Sequence, residues 1–236
     1  MKIRTVVAVV VVFLLVGFQS ALAQTVVFSD DFNDGTADGW WLDRSCHQGG
    51  CGNWRVENGM LTQDSGGDNY IALVEGIFLA NQTIKTDFLA NDPGGYGSTV
   101  VWYGDFDNWT GIRLIPNHNP GGIWIEEIIN GIDFYTFYPY QFSNGVWYQL
   151  EVDADASRGL LAVSVDSSYL FTHQVSTLVR AGRSGVADGN AGGFFDNFVL
   201  TSNDATAVPE PSGIITILTG LLGLVAIAGI RRFRRT

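Results

Sequence analysis

From Gln24 to Thr201 the chain is a succession of short β-branched and aromatic runs, broken every 8 to 12 residues or so by Gly, Asn and Asp. Almost no helical periodicity interrupts them, so the pattern excludes bundles and βαβ units and predicts an all-β sandwich or barrel. "NWRVENGMLTQ" reads as strand, Asn58-Gly59 turn, strand, and Asn130-Gly131 and Asn144-Gly145 mark further turns that tolerate positive φ. Candidate strands are Thr83–Leu89, Ser98–Tyr103, Trp109–Ile115, Gly122–Ile129, Phe134–Tyr138, Trp147–Asp153, Leu160–Val165, Tyr169–His173 and Phe194–Leu200. That set fills two packed antiparallel sheets.

The two ends are of another kind. Lys2 and Arg4, the apolar "TVVAVVVVFLLVGF" and the small residues Ala21 to Ala23 have the three parts of a secretion signal, with cleavage expected after Ala23. Near the other end, Gly213 to Ile230 is apolar throughout and, as a helix of roughly 27 Å, is long enough to cross a thin bilayer. Arg231, Arg232, Arg234 and Arg235 follow it and, by the positive-inside rule, stay cytoplasmic. The expected organisation is a signal peptide at 1–23, a β domain at 24–201, a spacer at 202–208 and a membrane-directed segment at 209–236.

Pro209-Glu210-Pro211, a glycine-containing apolar helix and an arginine cluster, in that order, resemble the PEP-CTERM sorting signal of exopolysaccharide-producing Gram-negative bacteria. The resemblance covers about the last 30 residues. It implies recognition by a membrane-embedded exosortase, cutting near Pro209-Glu210-Pro211, and delivery to the cell surface, outer membrane or extracellular matrix. The alternative is a single-pass anchor that is never cut.

Between Gln24 and Pro211 seven basic side chains stand against 24 acidic ones, a net charge of −17. A body this acidic does not hold nucleic acid electrostatically; it suits neutral polymers, cations or basic partners. The two cysteines, Cys46 and Cys51 of "CHQGGC", are close enough in sequence to staple a small loop by a disulfide in an exported protein. A metal reading that adds His47 falls short of the four ligands of a structural zinc site.

"NGVWYQLEVDADASRGLLAVSVDSSYLF", followed by "SGVADGNAGGFFDNFVL", resembles the late strands of concanavalin A-like, laminin-G-like jelly rolls, and "FSDDFNDGTADGWW" resembles their opening strand. In that pattern a G-x-x-x-G loop precedes F-D-N-V, and the usual Asp-Gly turn is Asp166-Ser167-Ser168 here, which is expected to change the turn type. The resemblance implies a jelly-roll sandwich. It also implies a structural calcium ion tying the first and last strands, with Asp30, Asp31 and Asp196 at the matching positions and hard oxygen ligands of the right kind.

Some relatives of that fold are laminarinase-type glucanases, whose retaining mechanism needs two carboxylates about 5 Å apart. Here Glu126 and Glu127 are adjacent, so on a strand they point to opposite faces. Asp105 and Asp107 have same-face spacing but sit in a turn-like context. His47, His118 and His173 accompany no nucleophile elbow. Aromatic side chains offer more: Trp102, Tyr103, Trp109, Trp124, Tyr135 and Tyr138 lie on or beside middle strands, and Trp and Tyr faces pack on sugar rings. Trp102, Tyr103, Trp109 and Trp124 are therefore the candidate glycan contacts, core packing being the competing role for each. The expectation is a non-catalytic glycan-binding or adhesive module, exported and sorted through its tail, with extracellular polysaccharide as partner. The alternatives are a glycoside hydrolase with an atypical carboxylate pair and a purely structural matrix component.

Overall fold

The computed structural model describes residues 24–43, 46–47, 50–64, 66–67, 69–90, 95–116, 121–143, 145–176, 181–189 and 193–204, with 46–47, 50–51 and 90 as backbone alone. The signal peptide, Pro209-Glu210-Pro211, the apolar run 213–230, His118 and the side chains of Cys46, His47 and Cys51 lie outside the described residues.

Alternating strand and turn residues form β1 (Thr25–Asp30), β2 (Trp40–Leu42), β3 (Cys46–His47), β4 (Gly50–Cys51), β5 (Trp54–Glu57), β6 (Met60–Gln63), β7 (Tyr70–Val74), β8 (Asn81–Ala90) and β9 (Tyr96–Asp105). They continue as β10 (Asn108–Ile115), β11 (Gly122–Ile129), β12 (Ile132–Pro139), β13 (Trp147–Asp155), β14 (Leu160–Val165), β15 (Ser168–Gln174), β16 (Arg183–Gly189) and β17 (Gly193–Ser202). The Asn-Gly pairs do what their chemistry predicts: Asn58 and Gly59 (φ 53° and 75°) turn β5 into β6, and Asn130 and Gly131 (φ 50° and 74°) turn β11 into β12.

Two antiparallel sheets result. One has eight strands, in the order β15-β14-β13-β8-β17-β6-β5 with β1 also pairing β17; the other has seven, β12-β11-β10-β9-β16-β7-β2. A short third ladder pairs β3 with β4, Cys46 opposite Cys51. Between the two large sheets lies one core, to which the eight-stranded sheet gives Leu61, Ile84, Phe88, Leu150, Val152, Leu161, Val163 and Phe195. The seven-stranded sheet faces them with Tyr70, Ala72, Val101, Trp102, Ile112, Leu114, Ile123 and Ile125. Burial of this many large apolar side chains, each contributing about 1.5–3 kcal/mol, is the main force closing the sandwich.

The candidate strands read from sequence omit β2, β3, β4, β7 and β16. "YIALV" of β7 is buried at every position, so it lacks the alternation that marks a half-buried strand. β16, absent from the candidate strands, is a central strand that needs its glycine: a Cβ at Gly185 would stand 1.9 Å from the Ala72 carbonyl oxygen of the neighbouring strand. The Asp166-Ser167 turn also differs from expectation, since both residues are left-handed (φ 49° and 62°), the combination a two-residue type I′ turn requires. Replacing the usual glycine by Ser167 left the turn type in place and put strain on a side-chain-bearing residue.

Candidate binding face

The central strands of the seven-stranded sheet, β7, β9, β10, β11 and β16, are buried at most positions on both faces, and the second face carries the chemistry. Alternation places Ile112 and Leu114 of β10 in the core and turns Trp109, Gly111 and Arg113 to the opposite, outer face. Their partners across the ladder are Ile128, Glu126 and Trp124 of β11, which pair in turn with Asp133, Tyr135 and Phe137 of β12. Ile71, Leu73, Val100, Tyr103, Trp109, Ile128 and Ala187 form a second apolar cluster on this face, with Trp41 packed against it.

Within that face sits a charged network. The Arg113 Nε–H donates to Glu126 Oε2 at 2.7 Å, and an Nη2–H donates to the same oxygen and, at 2.6 Å, to Asn69 Oδ1. The Tyr135 hydroxyl donates to Glu126 Oε1 at 2.8 Å, and the guanidinium lies 4.3 Å above the Tyr96 ring. Glu126 is fully buried. Burial pushes its carboxyl above the ordinary range, against the pull of Arg113 and Tyr135. Burial also raises the Tyr135 phenol, with Glu126 adding to the effect.

Beside this network runs a solvent-facing aromatic strip. Trp124 is half-buried and makes edge contacts with Tyr135 at 5.8 Å and Phe137 at 5.7 Å, and Tyr135 is 47 % exposed. Of the four aromatics expected to contact glycan, Trp124 alone is not fully buried. Trp102 is a correction: it is buried in the core, and its Nε1–H donates to the Ala80 carbonyl at 2.8 Å. A β-bulge is the reason, because Trp102 is left-handed (φ 52°) at the point where β9 shifts register against both neighbours, so that Val101 and Trp102 both face inward. Tyr103 and Trp109 are on the outer face but buried in its apolar cluster, and burial carries the Tyr103 phenol to about 12. Tyr138 points the other way and stacks on Phe171 at 3.6 Å.

Glu126 and Glu127 do take opposite faces. Glu127 accepts the Ser176 N–H at 2.6 Å and the Ser176 hydroxyl at 3.0 Å, and pairs with His173 Nε2 at 3.2 Å, while the Tyr138 hydroxyl bonds His173 Nδ1 at 3.1 Å. Burial alone would raise the Glu127 carboxyl, but His173 and Ser176 hold it below its usual range. Asp105 spends Oδ1 on the Asp107 N–H and the Asn108 amide, closing the β9–β10 turn. Adjacent glutamates on opposite faces, and an aspartate closing a turn, cannot supply a carboxylate pair about 5 Å apart.

At the β1–β17 end, a pocket of about 390 Å³ is lined by Ser29, Asp30, Asp31, Asp34, Asn197, Phe198 and Val199. Asp196 is close enough that Asp87, Asp31 and Asp30 add to the effect of burial in raising its carboxyl. Asp30 already accepts the Phe32 N–H and the Trp40 indole N–H, both at 2.8 Å. No three acidic, His or Cys side chains converge at metal-ligating spacing among the described residues. The donors are of the right chemical type for calcium, with Asp31 and Asp196 the less committed carboxylates, but they do not form a ready cage.

No family model and no curated protein sequence matches the chain. Solved structures match in shape. The carbohydrate binding module CBM66 from Bacillus subtilis superposes with a TM-score of 0.59 at 16 % identity, over 70 % of this chain and 96 % of that one. SCLam, a non-specific endo-β-1,3(4)-glucanase of family GH16, gives 0.56 at 12 % identity over 76 % and 91 % of the two chains. A prokaryotic β-1,3-1,4-glucanase (lichenase) derived from a mouse hindgut metagenome gives 0.56 at 12 % identity over 75 % and 98 %. The fold is a concanavalin A-like jelly roll. Because both a binding module and hydrolases share it, the fold by itself assigns no activity.

Sequence reasoning missed Arg113, Glu126 as its partner, Arg183 and Trp41 on this face. The usable signal was there: Arg113 interrupts the apolar alternation of "NWTGIRLI", and only seven basic residues occur in the whole body.

Proposed function

We propose that the domain is a non-catalytic glycan-binding module and that the outer face of the seven-stranded sheet holds the sugar. The observation that carries this is the strip Trp124, Tyr135 and Phe137, lying beside the Arg113–Glu126–Tyr135 network. Aromatic faces take the C–H faces of sugar rings, and fixed polar groups at their edge take hydroxyls. The test is a polysaccharide panel on the full chain, scoring both retention and released sugar. Retention without release supports the reading. Release of sugar, abolished by Glu126→Gln, would establish a hydrolase instead, and neither retention nor release would leave a structural matrix role.

The chain ends fit this reading. An exported module sorted through Pro209-Glu210-Pro211 by an exosortase would meet extracellular polysaccharide at the cell surface, outer membrane or matrix. The intact mass of protein recovered from the surface tests it: loss of Arg231 to Thr236 is expected, and their retention counts against cutting. Cys46 and Cys51, opposite each other on β3 and β4, are proposed to be disulfide-bonded, which thiol labelling without reductant checks. A calcium ion at the β1–β17 pocket, using Asp31 and Asp196, is proposed as structural, and a chelator is expected to lower the Tm of a calcium-loaded sample.

A further inference from the structure

The outer face of the seven-stranded sheet carries two arginines in opposite electrostatic states. Arg113 is compensated: its guanidinium is paired with Glu126 and bonded to Asn69. Arg183, on β16, lies over two rings, its guanidinium carbon 5.3 Å from the Trp41 centroid and 5.2 Å from that of Tyr103. It is half-buried and, among the described residues, its side chain makes no ion pair and no hydrogen bond. Asp43 and Asp105 both act on Tyr103, but neither is paired with Arg183, and Asp105 is engaged in its own turn.

This placement is unexpected in a body of net charge −17, where acidic partners outnumber basic residues more than three to one. A guanidinium lying over aromatic rings keeps its face dry and its orientation fixed, and leaves its edge N–H groups as a preorganised fork. Such a fork matches a planar carboxylate through two charge-assisted bonds, and the aromatic surroundings strengthen them.

Resting on the glycan-binding reading, we propose that Arg183, seated over Trp41 and Tyr103, is a subsite for the carboxylate of an acidic sugar, making the preferred ligand a uronate-containing polysaccharide. The acidic body repels a polyanion at long range, so retention of one reports a specific site and not bulk attraction.

The test is affinity electrophoresis of the full chain in gels containing polygalacturonate, alginate or hyaluronate. A carboxyl-reduced form of each polymer and dextran sulfate serve as comparison arms, and Arg183→Gln and Arg183→Lys are run beside the wild type. Arg183 is partly exposed and outside the core, and an unchanged melting temperature confirms that the variants are folded. Expected is retention by at least one polyuronate, about tenfold or more weaker in Arg183→Gln, with Arg183→Lys recovering only part of the loss. The carboxyl-reduced polymer should bind wild type and Arg183→Gln alike. Equal retention of polyuronate by wild type and Arg183→Gln overturns the subsite, as does preference for the carboxyl-reduced form, while either result leaves glycan binding standing. Retention by dextran sulfate but no polyuronate overturns the carboxylate assignment. No retention of any polymer, neutral or acidic, overturns both proposals.

Discussion

The two outer faces of this sandwich are built on different rules. On the eight-stranded sheet, β13 alternates strictly: Leu150, Val152 and Ala154 are buried in the core while Gln149, Glu151 and Asp153 meet solvent. One of its ion pairs, Lys85–Glu151 at 2.9 Å, has side chains 45 % and 31 % exposed. On the seven-stranded sheet, β9 is buried at eight consecutive positions and β7 at all five, and its ion pair, Arg113–Glu126, is 7 % and 0 % exposed. One face is a solvated exterior, whereas the other buries aromatics and a charged pair. Burying a charged pair costs desolvation that a solvated pair avoids, so a fold needing only to close its core has no use for one.

Substitutions on the two faces separate them experimentally. The largest expected effects are in the buried pair and its apolar surroundings. Arg113→Met, which strands the Glu126 carboxylate, should cost about 3–5 kcal/mol in denaturant unfolding, whereas Lys85→Met on the other face should cost less than about 1 kcal/mol. Equal costs would erase the distinction between the faces. Trp109→Ala should likewise cost about 3–5 kcal/mol, as a core truncation does, although Trp109 does not face the sheet–sheet core.

A smaller effect belongs to the solvated sheet. The Ser157 hydroxyl, then Arg158, hold the Asp155 carboxyl down at about 2, so its stabilisation is complete above the unfolded carboxylate range near ~4 and is lost as pH falls toward about 2. Asp155→Asn should remove that loss, giving a flatter dependence of unfolding midpoint on pH between about 4 and 2 than wild type. Smallest is Ser167→Gly, which relieves a left-handed side-chain-bearing residue in the β14–β15 turn and should raise stability by roughly 1 kcal/mol in the same assay.

The solvated sheet was the more legible of the two in the sequence. Strands such as Trp147–Asp155 and Leu160–Val165 announce themselves by alternation, and Asn58-Gly59 announces its turn by residue type. The seven-stranded sheet hides three of its strands, β2, β7 and β16. "YIALV" has no period, and "RSGVADG" looks like a loop because the reason for Gly185 is a carbonyl oxygen on another strand. The same holds for the candidate site. Trp124 was found by residue type, but Trp102 was assigned a surface role because the bulge that turns it inward is set by pairing with β10 and β16. Arg113 and Glu126 are thirteen residues apart, and their meeting is visible only once β10 and β11 are in register.

The claim that the outer face of the seven-stranded sheet is where sugar binds can be tested by pairing one exposed tyrosine from each sheet. Tyr135 on β12 is 47 % exposed and Tyr169 on β15 is 63 % exposed. Retention of the full chain and of its Tyr135→Ala and Tyr169→Ala variants should be measured on the best polysaccharide from the panel, with melting temperatures recorded alongside. Tyr135→Ala should lose retention while Tyr169→Ala keeps it. Retention unchanged in Tyr135→Ala but lost in Tyr169→Ala would place the sugar on the other sheet and contradict it.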